Sequence, residues 1–160
     1  MWGDKRFLYI NYKLKTMGLV EAVKSVFGNY ANFSGRARRS EYWFFYLFNL
    51  LAVFIFMILG VMLGGVFGGG EGAAGGAIGG YILYILYALA AFIPSLAVTV
   101  RRLHDTNRSG WNILWCLLPV IGSIVLLVFM VSDSTPDNQY GPNPKNVNVT
   151  YTTNNTNTTV

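Results

Sequence analysis

The residues best suited to chemistry are a histidine and an aspartate that are adjacent in the chain, His104 and Asp105. A carboxylate can orient an imidazole ring so that the ring acts as a general base. Adjacent residues on a helix point about 100° apart, however, so the two side chains would not face each other there. Ser109 is the nearby hydroxyl, and the sequence shows no evident nucleophile. We therefore predict no enzyme activity, with Asp105 in a cap or salt bridge and His104 in an interfacial hydrogen bond; the alternative is a membrane enzyme that uses this pair.

Arginines surround this pair within the stretch Arg101–Gly110, and a second arginine cluster precedes the first long apolar segment. Guanidinium groups bind phosphate and carboxylate groups through paired hydrogen bonds. Anionic lipid headgroups attract nearby basic residues by about 1 kcal/mol each. We expect one basic surface that either attracts headgroups in general or forms a specific pocket for a phosphate-bearing ligand or an acidic partner. Its candidate residues are Arg36, Arg38, Arg39, Arg101, Arg102, His104, Asp105 and Arg108.

Few residues could hold a metal ion or a cofactor. The chain has one cysteine, Cys116, and one histidine, whereas a zinc site needs three or four ligands. The glycine-rich residues 64–80 lack the Lys-Ser or Lys-Thr pair that completes a phosphate-binding loop. The sequence also contains nothing that resembles a nucleic-acid reading motif. We therefore expect no metal, no cofactor and no nucleic-acid partner.

The hydrophobic pattern indicates which elements must position these residues. The 160 residues are 53% hydrophobic and 12% charged, whereas soluble domains are about 25% charged. Three uncharged segments, residues 43–63, 81–100 and 111–131, are long enough as helices to cross a hydrocarbon core of roughly 30 Å. An amphipathic pattern in residues 17–30 predicts a helix in the membrane interface; the alternative, which does not exclude the first, is a short helix packed on the protein's own loops. The predicted fold is an all-α membrane protein with three transmembrane helices preceded by an interfacial amphipathic helix.

Glycine and proline mark irregular points in this pattern. Residues 64–80 contain ten glycines, which favours a flexible loop. The alternative is close helix packing through small residues spaced four apart, such as Gly60 and Gly64. Pro94 should free the carbonyl about four residues earlier, which Ser95 or a neighbouring helix would have to satisfy.

The membrane domain is predicted to cover residues 17–145. Residues 1–16 are interpreted as an N-terminal extension, which a start at Met17 would remove. Residues 146–160 are rich in Asn and Thr, and this composition predicts a disordered tail.

The basic residues predict the orientation of the chain in the membrane. Eight precede the first apolar segment, three follow the second, one follows the third, and the glycine-rich segment has none. The positive-inside rule places the N-terminus and Arg101–Gly110 in the cytoplasm. Three crossings then place the C-terminus outside. If Pro119 and Gly122 make the third segment a re-entrant hairpin, the tail lies inside instead.

Three stretches together resemble a known family: residues 33–43 (FSGRARRSEYW), 94–111 (PSLAVTVRRLHDTNRSGW) and 138–144 (NQYGPNP). They resemble the YhaH/YhaI-like family of small bacterial inner-membrane proteins, catalogued as domain of unknown function 805, over roughly residues 17–145. The resemblance implies a multi-pass protein of the bacterial cytoplasmic (inner) membrane and no established biochemical activity.

We therefore expect a structural or regulatory protein. Its expected partners are the lipid bilayer, anionic phospholipid headgroups, and either further copies of the chain or another membrane protein. The alternative is a small oligomeric channel or transporter component with a pore around Asn49 or Thr99.

Overall fold

The computed structural model describes residues 17–145, apart from the side chains of residues 67–71 and 73. The predicted extension, residues 1–16, and the predicted tail, residues 146–160, lie outside the described residues. Within residues 17–145 the regular elements are helices, so the all-α prediction is confirmed there. They are α1 (Leu19–Gly28), the long helical segment α2 (Arg39–Asp105), a 3₁₀ helix (Gly110–Leu117) and α3 (Ile121–Val131).

The long segment α2 doubles back on itself and forms two apolar arms, α2a (Arg39–Val66) and α2b (Ala74–Asp105). The arms contain 28 and 32 residues, with mean hydropathies of 2.6 and 2.1. At about 1.5 Å per residue each arm is at least 40 Å long, so both are long enough to cross a hydrocarbon core of roughly 30 Å. Large apolar side chains such as Phe54 and Leu89 are exposed on the arms, as expected for helices that face lipid.

Glycines near the turn bring the backbones of the two arms into direct contact. A Cβ built on Gly64 would lie 2.5 Å from the Cα of Gly76, and one built on Gly60 would lie 2.8 Å from the Cα of Gly80. The flexible loop predicted for residues 64–80 is therefore wrong for most of that stretch, which is helical. The alternative of close helix packing is correct, because glycine has no side chain to hold the two backbones apart.

The third apolar segment forms a short hairpin, and the third transmembrane helix predicted for residues 111–131 is not confirmed. The 11 residues of α3 extend roughly 16 Å, about half of the hydrocarbon thickness. The break comes at Pro119, which cannot continue a hydrogen-bonded helix, and at Val120, whose φ is 68°. A Cβ on Gly122 would overlap the carbonyl oxygen of Trp115, so the 3₁₀ helix and α3 pack closely.

The segment that follows α3 returns to the end of the hairpin where α2 starts and finishes. The Thr135 N–H donates to the Asp105 carbonyl at 3.0 Å, and Arg38 Nε donates to the Pro144 carbonyl at 2.5 Å. The prediction that this segment lies across the membrane from the arginine clusters is therefore wrong. The physical cause is the reversal of the chain in the third apolar segment.

The amphipathic helix α1 packs against the two arms. Ala22 and Val26 are fully buried, and Val26 belongs to a cluster with Phe45 of α2a and Val98 of α2b. Just beyond α1, the Tyr30 hydroxyl donates to the Ala90 carbonyl at 2.5 Å. That is the carbonyl freed by Pro94, which lies four residues later in α2b. The freed carbonyl is thus satisfied from the neighbouring α1 segment.

We predict that Gly64→Ala separates the arms, whereas Gly65→Ala does not. The added methyl group of Gly64→Ala meets backbone atoms of Gly76 that have no room to move, so overpacking should cost about 1–3 kcal/mol. A Cβ on the adjacent Gly65 meets nothing within 4 Å, and a change from glycine to alanine in a helix gains up to about 1 kcal/mol. Thermal unfolding in detergent would measure both. Equal stability of the two variants would contradict the observed contact.

Candidate functional site

The charged residues of the described chain gather at one end of the helical hairpin. They lie in residues 17–41, 101–108 and 132–145, apart from Glu71 near the turn between the arms. Hydrogen bonds join these three segments, so the two arginine clusters predicted to share one face do lie together. The last segment, residues 132–145, joins them as well.

Asp105 is the centre of this cluster, and its side chain is fully buried. Its Oδ1 accepts from Arg36 Nε at 2.9 Å, and its Oδ2 accepts from Ser134 Oγ at 2.6 Å and from Arg102 Nη1. One carboxylate therefore joins the residues before α2a, the end of α2b and the segment after α3. A buried carboxylate is tolerated when it has charged partners and further hydrogen bonds, as it has here.

The guanidinium groups of Arg36 and Arg102 are held inside the protein. The Arg36 side chain is 2% exposed, and its Nη1 donates to the Pro136 carbonyl at 2.8 Å. The Arg102 side chain is 0% exposed, and its Nε donates to the Met130 carbonyl at 3.2 Å. Further bonds to carbonyl oxygens of residues 132–141 complete both sets. These two arginines therefore bind the protein's own carbonyls and Asp105.

Arg101 makes a separate buried ion pair on the side of α2b that meets α1. Its Nη1 lies 3.1 Å from Glu41 Oε1, and the two side chains are 5% and 6% exposed. Ser25 of α1 donates to the same Glu41 oxygen at 3.0 Å. The Nε and Nη2 atoms of Arg101 are buried without a hydrogen-bond partner among residues 17–145. This guanidinium group is thus only partly satisfied.

The remaining arginines lie toward the surface. The Arg39 side chain is 43% exposed, with Nη2 3.6 Å from Asp133 Oδ1. The guanidinium carbon of Arg108, itself an exposed residue, lies 3.8 Å from the centre of the Phe129 ring, which is a cation–π contact. Lys145 also pairs with Asp133, and its ammonium group lowers the pKa of that carboxyl. These three cations therefore combine contacts within the chain with exposure at the surface.

His104 and Asp105 have separate partners. The His104 ring stacks on Tyr140 with ring centres 3.9 Å apart, and its Nδ1 lies 3.2 Å from the Gly35 carbonyl oxygen. Asn138 donates to the backbone carbonyl of His104 at 2.9 Å. The imidazole therefore helps to hold residues 138–141 against the hairpin, while the neighbouring carboxylate holds the arginines.

A cavity of about 360 Å³ lies between the arms, lined by aromatic and small polar residues. Within it Tyr87 donates its hydroxyl to Asn49 Oδ1 at 2.9 Å, and Thr99 Oγ1 donates to the Ser95 carbonyl at 2.7 Å. The two residues proposed to line a pore thus make hydrogen bonds within the chain.

Sequence reasoning missed the partners that residues 130–144 provide for the arginines. Most of them are backbone carbonyls, which any residue type provides, so no residue pattern marks them. Tyr140 lies in the motif of residues 138–144, and that motif was the signal that could have linked this segment to the arginine clusters. Ser25 and Ser134 carry no comparable signal.

We predict that Asp105→Asn strongly destabilises the protein. The substitution leaves Arg36 and Arg102 buried without a counter-charge, which should cost about 3–5 kcal/mol. Asp133→Asn is the matched control, because Asp133 also pairs with basic groups but is 63% exposed. Unfolding in mixed micelles would compare the two variants with the unmodified protein. A loss of similar size for both would show that Asp105 is not the structural centre of the cluster.

Comparison with known proteins places the chain in a family. Residues 30–142, which include both arginine clusters and most of the segment that packs on them, match the family model described as protein of unknown function (DUF805). The inner membrane protein YhaH of Escherichia coli (strain K12) is 45% identical over 121 residues, which cover 75% of this chain and 93% of that protein. The inner membrane protein YhaI of the same strain is 44% identical over 123 residues, which cover 76% and 92%. No solved structure matches the chain. The resemblance inferred from the three motifs is confirmed, and the chain belongs to the DUF805 family.

Proposed function

We propose that this protein is a non-catalytic structural or regulatory component of the bacterial cytoplasmic membrane, and that its basic cytoplasmic end binds anionic lipid headgroups. The observation that carries the proposal is the segregation of charge along the hairpin. Residues 17–145 contain eight basic and five acidic residues outside the turn between the arms, and all of them belong to the segments joined at one end. Relatives at 45% and 44% identity are named inner membrane proteins, which supports the membrane location.

The same charge distribution supports an orientation. The positive-inside rule favours the basic end of the hairpin in the cytoplasm. Because residues 132–145 contact that end, they would also be cytoplasmic, and the turn near Glu71 would lie outside. The hairpin thus crosses the membrane twice, with the 3₁₀ helix and α3 inserted from the cytoplasmic side.

The headgroup contacts are assigned to the cations that remain exposed. Each basic residue near an anionic membrane surface contributes about 1 kcal/mol. Of the candidate arginines, Arg39 and Arg108 are placed for this role, together with the exposed Lys24 and Lys145. Arg36 and Arg102 are buried, and they hold the segments that carry these exposed cations together.

A non-catalytic role is supported by the contacts of His104 and Asp105. The imidazole ring is stacked on Tyr140, and the carboxylate is held by two arginines and Ser134. A general base needs a nitrogen or oxygen placed to accept a proton from a substrate, and both oxygens of Asp105 already accept hydrogen bonds from the protein's own side chains.

The orientation predicts the behaviour of reporter fusions. Alkaline phosphatase should be active when inserted at Gly70 in the turn and inactive when fused after Lys145, whereas a green fluorescent protein should fluoresce only after Lys145. The reason is that alkaline phosphatase folds outside the cytoplasm and this fluorescent protein folds inside it. Alkaline phosphatase activity after Lys145 would contradict the two-crossing arrangement.

If the exposed basic side chains bind headgroups, removal of their charge should reduce the amount of anionic lipid that stays bound to the protein. A variant with Lys24, Arg39, Arg108 and Lys145 changed to Gln should retain fewer phosphatidylglycerol molecules in native mass spectrometry, because about 1 kcal/mol per residue is removed. The matched control replaces Arg39 and Arg108 by Lys, which keeps the charge. Unchanged retention by the Gln variant would refute headgroup binding at this surface.

A further inference from the structure

We propose that Arg101 is a binding site for the phosphate group of a ligand, and that helix α1 is the lid that covers it. The phosphate would be carried by a membrane lipid headgroup or supplied as a free ion. The proposal rests on the proposed function in one respect: it takes the basic end of the hairpin to face lipid headgroups. It differs in its site, because it concerns a buried guanidinium group and not the exposed cations.

The first observation is the unpaired edge of the Arg101 guanidinium group. Its side chain is 5% exposed, and Nε and Nη2 make no hydrogen bond to any described residue. These two nitrogens form one edge of the planar group, with their N–H bonds pointing the same way. That edge is the one that binds two oxygens of a carboxylate or a phosphate, or one oxygen between its two donors.

Arg36 in the same protein shows how this edge is used when it is filled. Arg36 Nε donates to Asp105 Oδ1 at 2.9 Å, and Arg36 Nη2 lies 2.9 Å from the same oxygen. Arg101 uses only Nη1 for its own carboxylate, Glu41. An anion oxygen on the Nε and Nη2 edge of Arg101 would accept from both nitrogens, as Asp105 Oδ1 does from Arg36. The hydrogen bond from Arg101 Nη1 to Glu41 would remain.

The second observation concerns what covers Arg101. The buried face of α1, with Ala22 and Val26, packs on the side of the arms that carries Val98 and Arg101. Ser25 of α1 is tied to the Glu41 oxygen that also accepts from Arg101. Because the unpaired nitrogens are enclosed, an anion reaches them only when α1 moves. Unpaired buried donors are unfavourable, so the covered state carries a cost that anion binding would remove.

The third observation concerns the features that would allow α1 to move away from Arg101. Residues 31–35 between α1 and the buried Arg36 are irregular, and Gly35 has a φ of 81°, which glycine adopts without strain. Val20 and Phe27 are exposed on α1, so the helix already presents apolar groups that can enter the membrane interface. A phosphate at Arg101 would thus be coupled to movement of α1 on the membrane surface.

The test measures the position of α1 by double electron–electron resonance, which reports the distance between two spin labels. Spin labels are attached to cysteines at Lys24→Cys on α1 and Asn107→Cys beyond α2b, in a Cys116→Ser background. The protein is placed in nanodiscs of phosphatidylcholine alone, of phosphatidylcholine with phosphatidylglycerol, or of phosphatidylcholine with inorganic phosphate in the buffer. We expect a shift toward longer label-to-label distances when a phosphate source able to reach Arg101 is present. A shift with phosphatidylglycerol only identifies the lipid headgroup, and a shift with inorganic phosphate identifies the free ion. No shift with either overturns the proposal.

Two variants distinguish binding through the planar Nε and Nη2 edge of Arg101 from attraction by positive charge alone. Arg101→Lys keeps the charge and the partner for Glu41 but has no planar edge, so it should lose the shift. Glu21→Gln, which changes one charge at an exposed position of α1, should keep it. Retention of the full shift by Arg101→Lys overturns the proposal.

A second variant covers the case in which Arg101→Lys does not fold. Ser25→Ala removes the hydrogen bond between α1 and Glu41, so α1 should leave the arms more easily. The anion concentration that gives half of the distance shift should therefore fall about threefold. A midpoint that does not move, or moves to higher concentration, counts against α1 as the lid. Phosphatidylglycerol retention is measured in parallel. Retention without movement of α1 rejects this inference alone, whereas loss of retention in all samples rejects the proposed function.

Discussion

The structure depends on one buried carboxylate, that of Asp105. It is held by Arg36 and Arg102 and by Ser134, and so joins three parts of the chain that are far apart in sequence. Lipid tails are as apolar as leucine side chains, so burial of apolar surface gives two membrane helices little reason to associate. Polar bonds at one end and glycine contacts at the other supply that reason here. The hairpin is closed at both ends by interactions that lipid cannot replace.

The position of α1 follows from a second constraint, the need to satisfy every backbone group in an apolar environment. Pro94 in α2b has no N–H group, so it leaves the Ala90 carbonyl without its helical hydrogen bond. Tyr30 satisfies that carbonyl from the end of α1, and Ser25 reaches Glu41 from the middle of the same helix. The amphipathic helix therefore contacts the arms at two polar points as well as through Val26. These contacts explain why the amphipathic helix packs on the protein.

The sequence was sufficient for those features that depend on residue type alone. Charge and hydropathy gave the all-α class, the two long arms and the shared location of the arginine clusters, and the motifs gave the family. It was not sufficient for residues 111–131, because an uncharged segment of 21 residues has the same hydropathy as one helix or as a hairpin. Only Pro119 and Gly122 hinted at the reversal. The packing of Gly64 against Gly76 was equally hidden, since high glycine content is typical of both flexible loops and close helix contacts.

The arginines show why counting charge cannot by itself define a binding surface. During insertion every arginine contributes to orientation, because the rule depends on charge near the ends of the apolar segments. In the folded protein Arg36 and Arg102 share Asp105 as their charged partner and are enclosed, while Arg39 and Arg108 stay at the surface. Arg101 belongs to neither group, since it is enclosed but only its Nη1 is paired among residues 17–145. The difference among these residues lies in their partners, and those partners are mostly carbonyl groups and carboxylates brought in by the segment after α3 and by α2a. In this chain the state of each guanidinium group in the fold, and not the number of arginines, therefore distinguishes the residues that hold the structure from those left with unpaired donors.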